Sequence, residues 1–173
     1  MWRYGRGVAL AARGQVEYAR NELKALESLK GHPSLAVEVG GTSGTTLQSL
    51  VELSTHIVSG EIAASEKRFD DAVKELETAV RMQDAQRYFE PPAWHYPVRH
   101  SLGAVLLEAG RAREAEAVYR EDLRRNAENG WALFGLMKSL EAQARADDAA
   151  AVEARFRRAW ARSDITLTAS RVR

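Results

Sequence analysis

Apolar residues along most of this chain recur at steps of three and four residues, which is the spacing of one face of an α-helix. The pattern is clearest between residues 96 and 129, where Gly110 separates two such stripes. A glycine at a break in helical periodicity favours a turn. The spacing therefore predicts two antiparallel helices, near residues 97–109 and 111–126, with stripe positions at Leu102, Leu106, Ala115, Tyr119 and Leu123.

Similar stripes predict three further helix pairs. A break at Gly14 divides the first pair, and Asn129-Gly130 precedes the last. Two segments interrupt the helical pattern: residues 31–44 are rich in glycine and small polar residues, and residues 87–95 contain Pro91 and Pro92, which disfavour helix. The chain is therefore predicted to be all-α, with helices near residues 2–13, 16–29, 45–67, 69–85, 131–144 and 147–162 in addition to the central pair.

The central pair recurs at a fixed interval. Leu136, Leu140, Ala144 and Ala149 each lie 34 residues after a matching position, namely Leu102, Leu106, Gly110 and Ala115. This pattern resembles the tetratricopeptide repeat (TPR) as it occurs in bacterial-type TPR proteins. The resemblance implies an α-solenoid, a right-handed superhelix of about four antiparallel helix pairs, forming one domain over residues 1–173. The repeats would cover about 1–30, 45–86, 96–129 and 130–163, with insertions at 31–44 and 87–95 and a tail at 164–173.

The resemblance also implies a site. In TPR arrays the first helix of each pair lines a concave groove that holds a peptide or a partner protein. Chaperone-binding TPRs clamp a terminal carboxylate with Lys and Asn at two of these positions, where this chain has Tyr4 and Val8. The groove positions carried over from the motif are Tyr4, Val8, Ile57, Glu61, His100, Ala104, Leu107, Trp131, Phe134, Lys138 and Glu141. Because Met1 falls within the first helix of the motif, we expect the chain to be the C-terminal piece of a longer protein.

Four aromatic residues cluster in and beside the second insertion: Tyr88, Phe89, Trp94 and Tyr96. An irregular segment needs buried area to hold it in place, and aromatic rings bury much area per residue. These residues are therefore interpreted first as structural anchors. The alternative is an aromatic wall beside the groove that stacks on a ligand or a partner peptide.

Charge and composition restrict the partner classes. The chain has 25 basic and 24 acidic residues, so it has no overall positive excess to attract nucleic acid. Its basic C-terminal end is predicted to be a solvated surface, with arginines at positions 155, 157, 158, 162, 171 and 173. The longest N-terminal apolar run, residues 8–12, is too short for a membrane span, and no membrane partner is expected. Because the chain has no cysteine, its composition suits a reducing and an oxidising cell compartment equally, and the cytoplasm is slightly favoured.

Motifs for covalent or metal-assisted catalysis are lacking in the sequence, which has no Gly-x-Ser-x-Gly and no His-Glu-x-x-His. Glu90, His95 and His100 offer a ligand set that suits zinc, but their spacing crosses a proline-rich loop rather than one helical face. We therefore expect no enzyme activity, no cofactor and no metal.

Three functions are compatible with these patterns. The first is a protein-interaction scaffold that binds a peptide or a partner protein in the groove. The second is a ligand-binding, metal-binding or enzymatic domain in which the 87–100 segment closes a pocket, with Glu90, His95 and His100 as its polar groups. The third is homo-oligomerisation through an exposed apolar end.

Overall fold

The computed structural model describes residues 1–41 and 44–171, and these residues form eight α-helices and no strand. The all-α prediction is confirmed. Thr42 and Ser43 of the predicted connection, and Val172 and Arg173 of the predicted tail, lie outside the described residues. The helices are α1 (Trp2–Ala12), α2 (Val16–Glu27), α3 (Leu47–Ser65), α4 (Phe69–Asp84), α5 (Arg99–Glu108), α6 (Ala112–Arg125), α7 (Gly130–Glu141) and α8 (Ala146–Ala159).

The chain divides into two compact units. Unit 1 is Met1–Val98, and unit 2 begins at Arg99. In unit 1, α1 packs on α2 and α3, α2 also packs on α3, and α3 packs on α4. In unit 2, α5 packs on α6 and α7, and α7 also packs on α6 and α8. Neighbouring helices thus pack as predicted within each unit, whereas the superhelix and the single TPR-like domain stay predictions.

The same turn closes all four helical hairpins of the described chain. One residue of each turn has a left-handed backbone conformation, with φ between 57° and 74°: Gly14, Lys67, Gly110 and Ala144. The amide of the next residue then donates to the carbonyl five positions earlier, over 2.8–3.0 Å, in the pairs Gln15–Leu10, Arg68–Ala63, Arg111–Leu106 and Arg145–Leu140. These bonds satisfy carbonyls that the end of each first helix leaves free.

A buried alanine follows each turn at the same place. The alanines are Ala19, Ala72, Ala115 and Ala149, and each donates its amide to the residue directly after the turn. Because alanine has the smallest side chain with good helix propensity, it lets the second helix lie close to the first. The four hairpins therefore share both a turn and a point of close approach.

Two glycines of unit 2 make room for Tyr119 of α6. A Cβ placed on Gly103 of α5 would lie 2.3 Å from the Tyr119 ring, and one placed on Gly135 of α7 would lie 2.2 Å from it. Only glycine lets both helices approach the ring so closely. Tyr119 is fully buried as a result, and its hydroxyl would lie 2.7 Å from a Cβ on Gly103.

The first insertion is a folded connection where the structure describes it. It contains short 3-10 turns at Pro33–Leu35 and Val39–Gly41, and Glu38 forms an isolated bridge with Thr46. Thr46 caps the start of α3, because its hydroxyl accepts a hydrogen bond from the Ser49 amide at 3.1 Å.

The helix after the second insertion begins two residues later than the sequence predicts, at Arg99 rather than Pro97. The side chain of Gln83 in α4 makes two hydrogen bonds with the backbone just before this helix. Its amide nitrogen donates to the Tyr96 carbonyl at 2.9 Å, and its oxygen accepts from the Val98 amide at 2.8 Å. These bonds hold residues 96–98 against α4 in a non-helical conformation.

Candidate functional site

The second insertion is held in unit 1 by Trp94, which is 2% exposed. Its ring packs edge-on against Tyr4 of α1, with ring centroids 4.9 Å apart and an interplanar angle of 70°. The Tyr4 hydroxyl also donates to the Tyr96 hydroxyl at 3.1 Å. Three aromatic side chains thus join the insertion to the first helix of the chain.

The Tyr4 phenol is held in its neutral form. Burial raises its pKa well above the usual value, and the neighbouring Tyr96 and the charge of Glu61 act in the same direction. The ring of His95 lies between its two neighbours in sequence. Its centroid is 5.2 Å from the Trp94 ring centroid and 5.0 Å from that of Tyr96. Partial burial lowers the pKa of His95, which favours its uncharged form.

Phe89 links the second insertion to the first. A Cβ on Gly40 would lie 2.3 Å from the Phe89 ring, so the ring is seated directly on that glycine. Gly40 also has a backbone φ of +67°, a conformation that costs free energy in residues other than glycine. Tyr88 differs from the other insertion aromatics, since it is 87% exposed. Its hydrogen bond with Glu90 raises its pKa.

The groove positions predicted in unit 1 are mostly covered. Tyr4 is buried beneath Trp94, Ile57 and Glu61 of α3 are buried, and Val8 is half-buried. In this structure only Val8 among the four offers appreciable surface.

The groove positions predicted in unit 2 divide into two groups. His100 and Ala104 are buried, Phe134 lies 5.6 Å from Phe156 and is nearly buried, and Leu107 is half-buried. Trp131, Lys138 and Glu141, all on α7, keep open surface. Trp131 stands edge-on to Trp160 at 5.7 Å, and the Lys138 ammonium lies 2.8 Å from Glu141 and 5.7 Å from the centre of the Phe134 ring. Their role in binding a partner stays a prediction.

His100 has a buried partner in Asp122 of α6. Its Nε2 lies 3.1 Å from the Asp122 carboxylate, and the two side chains are 5% and 0% exposed. Asn126 also donates to that carboxylate at 3.2 Å. The sequence holds the signal for this pair, because Asp122 stands on the buried face of a helix, where a polar residue needs a hydrogen-bonding partner.

The C-terminal tail is packed on α5 and α6. Its residues 164–171 form neither helix nor strand, yet Leu167, Ser170 and Arg171 are buried. The Ser170 hydroxyl donates to the His100 carbonyl at 3.3 Å and forms a second hydrogen bond with the Tyr119 hydroxyl. The Arg171 guanidinium donates to both carboxylate oxygens of Glu108, at 2.9 and 3.0 Å. Sequence reasoning missed these contacts, because a short irregular stretch has no periodicity that indicates burial.

The Ser170 hydroxyl has two oxygen atoms as its hydrogen-bond partners. The Ser170 hydroxyl bonds the main-chain carbonyl of His100, so it is not paired with the imidazole as a nucleophile with its base. Among residues 1–41 and 44–171, no three His, Asp or Glu side chains are grouped so that they could hold a metal ion. The expected absence of enzyme activity stays a prediction.

Three of the basic residues near the C-terminus are paired within unit 2. Arg155 bonds Glu128 at 2.6 Å, Arg157 bonds Glu153 at 2.6 Å, and Arg171 bonds Glu108. The absence of a nucleic-acid partner stays a prediction. No helix in the described part of the chain is long and apolar enough to cross a membrane.

No family model, curated protein or solved structure matches this chain.

Proposed function

We propose that this chain is a TPR-like interaction module, which binds an extended segment of a partner protein and catalyses no reaction. The observation that carries the proposal is the turn shared by the four hairpins, together with the buried alanine that follows each turn. Identical local geometry at four places is what a chain built from one repeated unit is expected to have. Stacked units of this kind present an extended surface, which suits a partner segment better than a small substrate.

The exposed side of α7 is the part of the predicted groove most open to a partner. Trp131 offers an amphipathic ring, and the neighbouring Lys138 and Glu141 offer charges of both signs. Aromatic residues near charged ones are typical of interface anchors. A partner segment would therefore pack an apolar residue on Trp131 and bring a charge to Lys138 or Glu141.

Selection from a displayed peptide library against the full chain tests this function. We expect an enriched peptide class whose affinity falls at least about tenfold in Trp131→Ala, the loss of one interface anchor. Lys138→Glu serves as a second variant, since its side chain is exposed and its replacement does not disturb the core. Trp2→Ala is the matched control, because Trp2 is an exposed tryptophan outside the predicted groove.

Two outcomes contradict the proposal. One is a selection that enriches nothing above the level found with the heat-unfolded chain. The other is a set of enriched peptides whose affinity is the same for the wild-type chain and for both α7 variants, with circular dichroism showing that the variants keep their helices.

Homo-oligomerisation is a second candidate, which rests on exposed apolar side chains at the start of unit 1. Met1, Trp2 and Tyr18 are all more than half exposed. If they meet a second copy of the chain, the mass measured by sedimentation equilibrium rises with concentration, and Trp2→Ala reduces that rise. A constant monomer mass excludes this candidate.

A further inference from the structure

The tail segment, defined here as residues 164–171, covers part of unit 2 without belonging to any of its helices. It leaves α8 after Trp160, whose indole nitrogen donates to the Ile165 carbonyl at 2.7 Å. From there it reaches α5 and α6, more than 40 residues earlier in the chain. An irregular segment laid across two helices has the form in which extended peptides bind folded domains.

The tail segment is held by side chains of three kinds. Leu167 supplies an apolar contact, Ser170 supplies a hydroxyl, and Arg171 supplies a positive charge. All three are buried, whereas Asp164, Ile165, Thr166 and Thr168 between and before them are exposed. Specificity in a bound peptide comes from the few side chains that enter the receptor surface.

The place that holds Ser170 has matched hydrogen-bonding groups. The His100 carbonyl accepts the serine proton, and the Tyr119 phenol then donates to the serine oxygen. Burial raises the pKa of Tyr119, so its phenol keeps the proton that it donates. A hydroxyl is the small group that can donate to one partner and accept from the other.

The place that holds Arg171 has the opposite charge. Glu108 stands at the C-terminal end of α5, and both its carboxylate oxygens accept from the Arg171 guanidinium. Such charge-assisted pairs are roughly twice as strong as neutral hydrogen bonds. Because Arg171 directly follows Ser170, one short motif satisfies both places.

We propose that the tail segment is the internal occupant of a peptide-binding face on α5 and α6, and that this face also accepts a partner segment with the pattern Leu-x-x-Ser-Arg. The inference deepens the interaction function proposed above and rests on it. In the free chain the tail competes with the partner, so that a partner segment binds only when it displaces residues 164–171. The buried side chains of the tail therefore predict which side chains the partner segment carries.

The test uses a fluorescent peptide with the sequence of residues 163–171 and the full-length chain. In the wild-type chain the tail competes, and the peptide binds weakly. Arg171→Glu in the chain releases the tail, since it places a second negative charge beside Glu108. We expect fluorescence anisotropy to show at least about tenfold tighter peptide binding, the factor that corresponds to one charge-assisted hydrogen bond.

A charge exchange identifies the face. Glu108→Arg should release the tail but also reject the wild-type peptide, and it should bind a peptide whose arginine is replaced by glutamate. That altered peptide should not bind the Arg171→Glu chain. Arg162→Glu is the matched control, because Arg162 is an exposed arginine just before the tail and makes the same change of charge.

Ser170→Ala is a second way to loosen the tail without changing its charge, and it should also tighten peptide binding. The proposal is overturned if the peptide binds the Arg171→Glu and Ser170→Ala chains no better than it binds the wild-type and Arg162→Glu chains. It is also overturned if Arg171→Glu and Ser170→Ala both lose the helices of unit 2, because the tail is then part of the core.

Failure of this inference can be told from failure of the interaction function. If library selection yields peptides whose binding depends on Trp131 but is the same in the wild-type and Arg171→Glu chains, the interaction function stands and the tail assignment falls. If library selection yields nothing, but binding of the tail peptide changes as expected in the Glu108→Arg chain, the interaction function is wrong. The face on α5 and α6 then binds only the chain's own tail.

Discussion

The second insertion of unit 1 and the tail segment of unit 2 are both irregular segments laid on helices, and they are held in different ways. In unit 1 the second insertion is fastened by rings: Trp94 is fully buried against Tyr4, and Phe89 is seated on Gly40. In unit 2 the tail segment is fastened mainly by polar groups, through Ser170 and Arg171. Both segments lack regular structure, but only one has a large apolar anchor.

The difference indicates which segment is permanent. Burying an aromatic ring is favourable only in the folded chain, and the gain is lost if the segment leaves, since the ring then meets water. Hydrogen bonds and an ion pair are exchanged for bonds to water at a small net cost. We therefore expect the insertion to be part of the core of unit 1 and the tail to leave unit 2 without unfolding it.

Removal of the insertion's anchor gives the largest expected effect. Trp94→Ala should lower the free energy of unfolding by about 3–5 kcal/mol, because it removes a buried ring and leaves a cavity. Urea unfolding followed by circular dichroism measures the change. The control is Tyr88→Ala in the same insertion, which should change stability by less than about 0.5 kcal/mol, because Tyr88 is exposed. Equal effects of the two substitutions would contradict the role given to Trp94.

A smaller effect is expected at the glycines that admit Tyr119. Alanine normally stabilises a helix relative to glycine by about 0.5–1 kcal/mol, and Gly5→Ala should do so, because no atom lies within 4 Å of the added methyl group. Gly103→Ala should instead destabilise the chain by about 1–3 kcal/mol, because the methyl group meets the Tyr119 ring. Thermal unfolding of the two variants checks the opposite signs. A stabilising Gly103→Ala would show that α5 and Tyr119 are not closely packed.

The smallest effect depends on pH and concerns the Tyr4 phenol beneath the insertion. Its pKa is raised in the folded chain, whereas the unfolded chain ionises near the usual value of 10.0. Unfolding therefore releases a proton at alkaline pH, so this stabilisation is fully present below pH 10 and is lost as the pH rises above it.

Tyr4→Phe removes that proton, so the variant should lose less stability than the wild type between pH 9 and pH 11, a window that spans the unfolded pKa. Urea unfolding at several pH values measures the loss. Tyr18→Phe, at an exposed tyrosine of α2, is the matched control. If the two variants have the same alkaline profile, Tyr4 is not the group responsible.

The helices and most of their ends could be predicted from the sequence, because each has a regular apolar stripe and two of the turns have glycine. Gly14 and Gly110 stand where the chain needs a left-handed residue, and Ala144 was placed by its distance of 34 residues from Gly110. Lys67 occupies the equivalent place in the second hairpin, but a lysine there gives no local signal, and only the structure shows its positive φ.

The contacts of irregular segments could not be predicted, because they depend on side chains far apart in sequence. Gln83 bonds the backbone of Tyr96 and Val98 just before α5, which no periodicity reveals. Ser170 meets Tyr119 across 51 residues, and only the folded helices bring them together. The aromatic composition of the insertion did predict anchoring, and for Trp94 the structural interpretation agrees with its burial.

Native-state hydrogen exchange of the unmodified chain tests the comparison most directly, because it measures the free energy at which each segment opens. We expect the amides of residues 164–171 to exchange through an opening of lower free energy than those of α5 and α6. Those of residues 94–98 should exchange only with the unfolding of unit 1. If the tail segment opens only together with α5 and α6, it is part of the core of unit 2, and the distinction between a permanent insertion and an exchangeable tail is wrong.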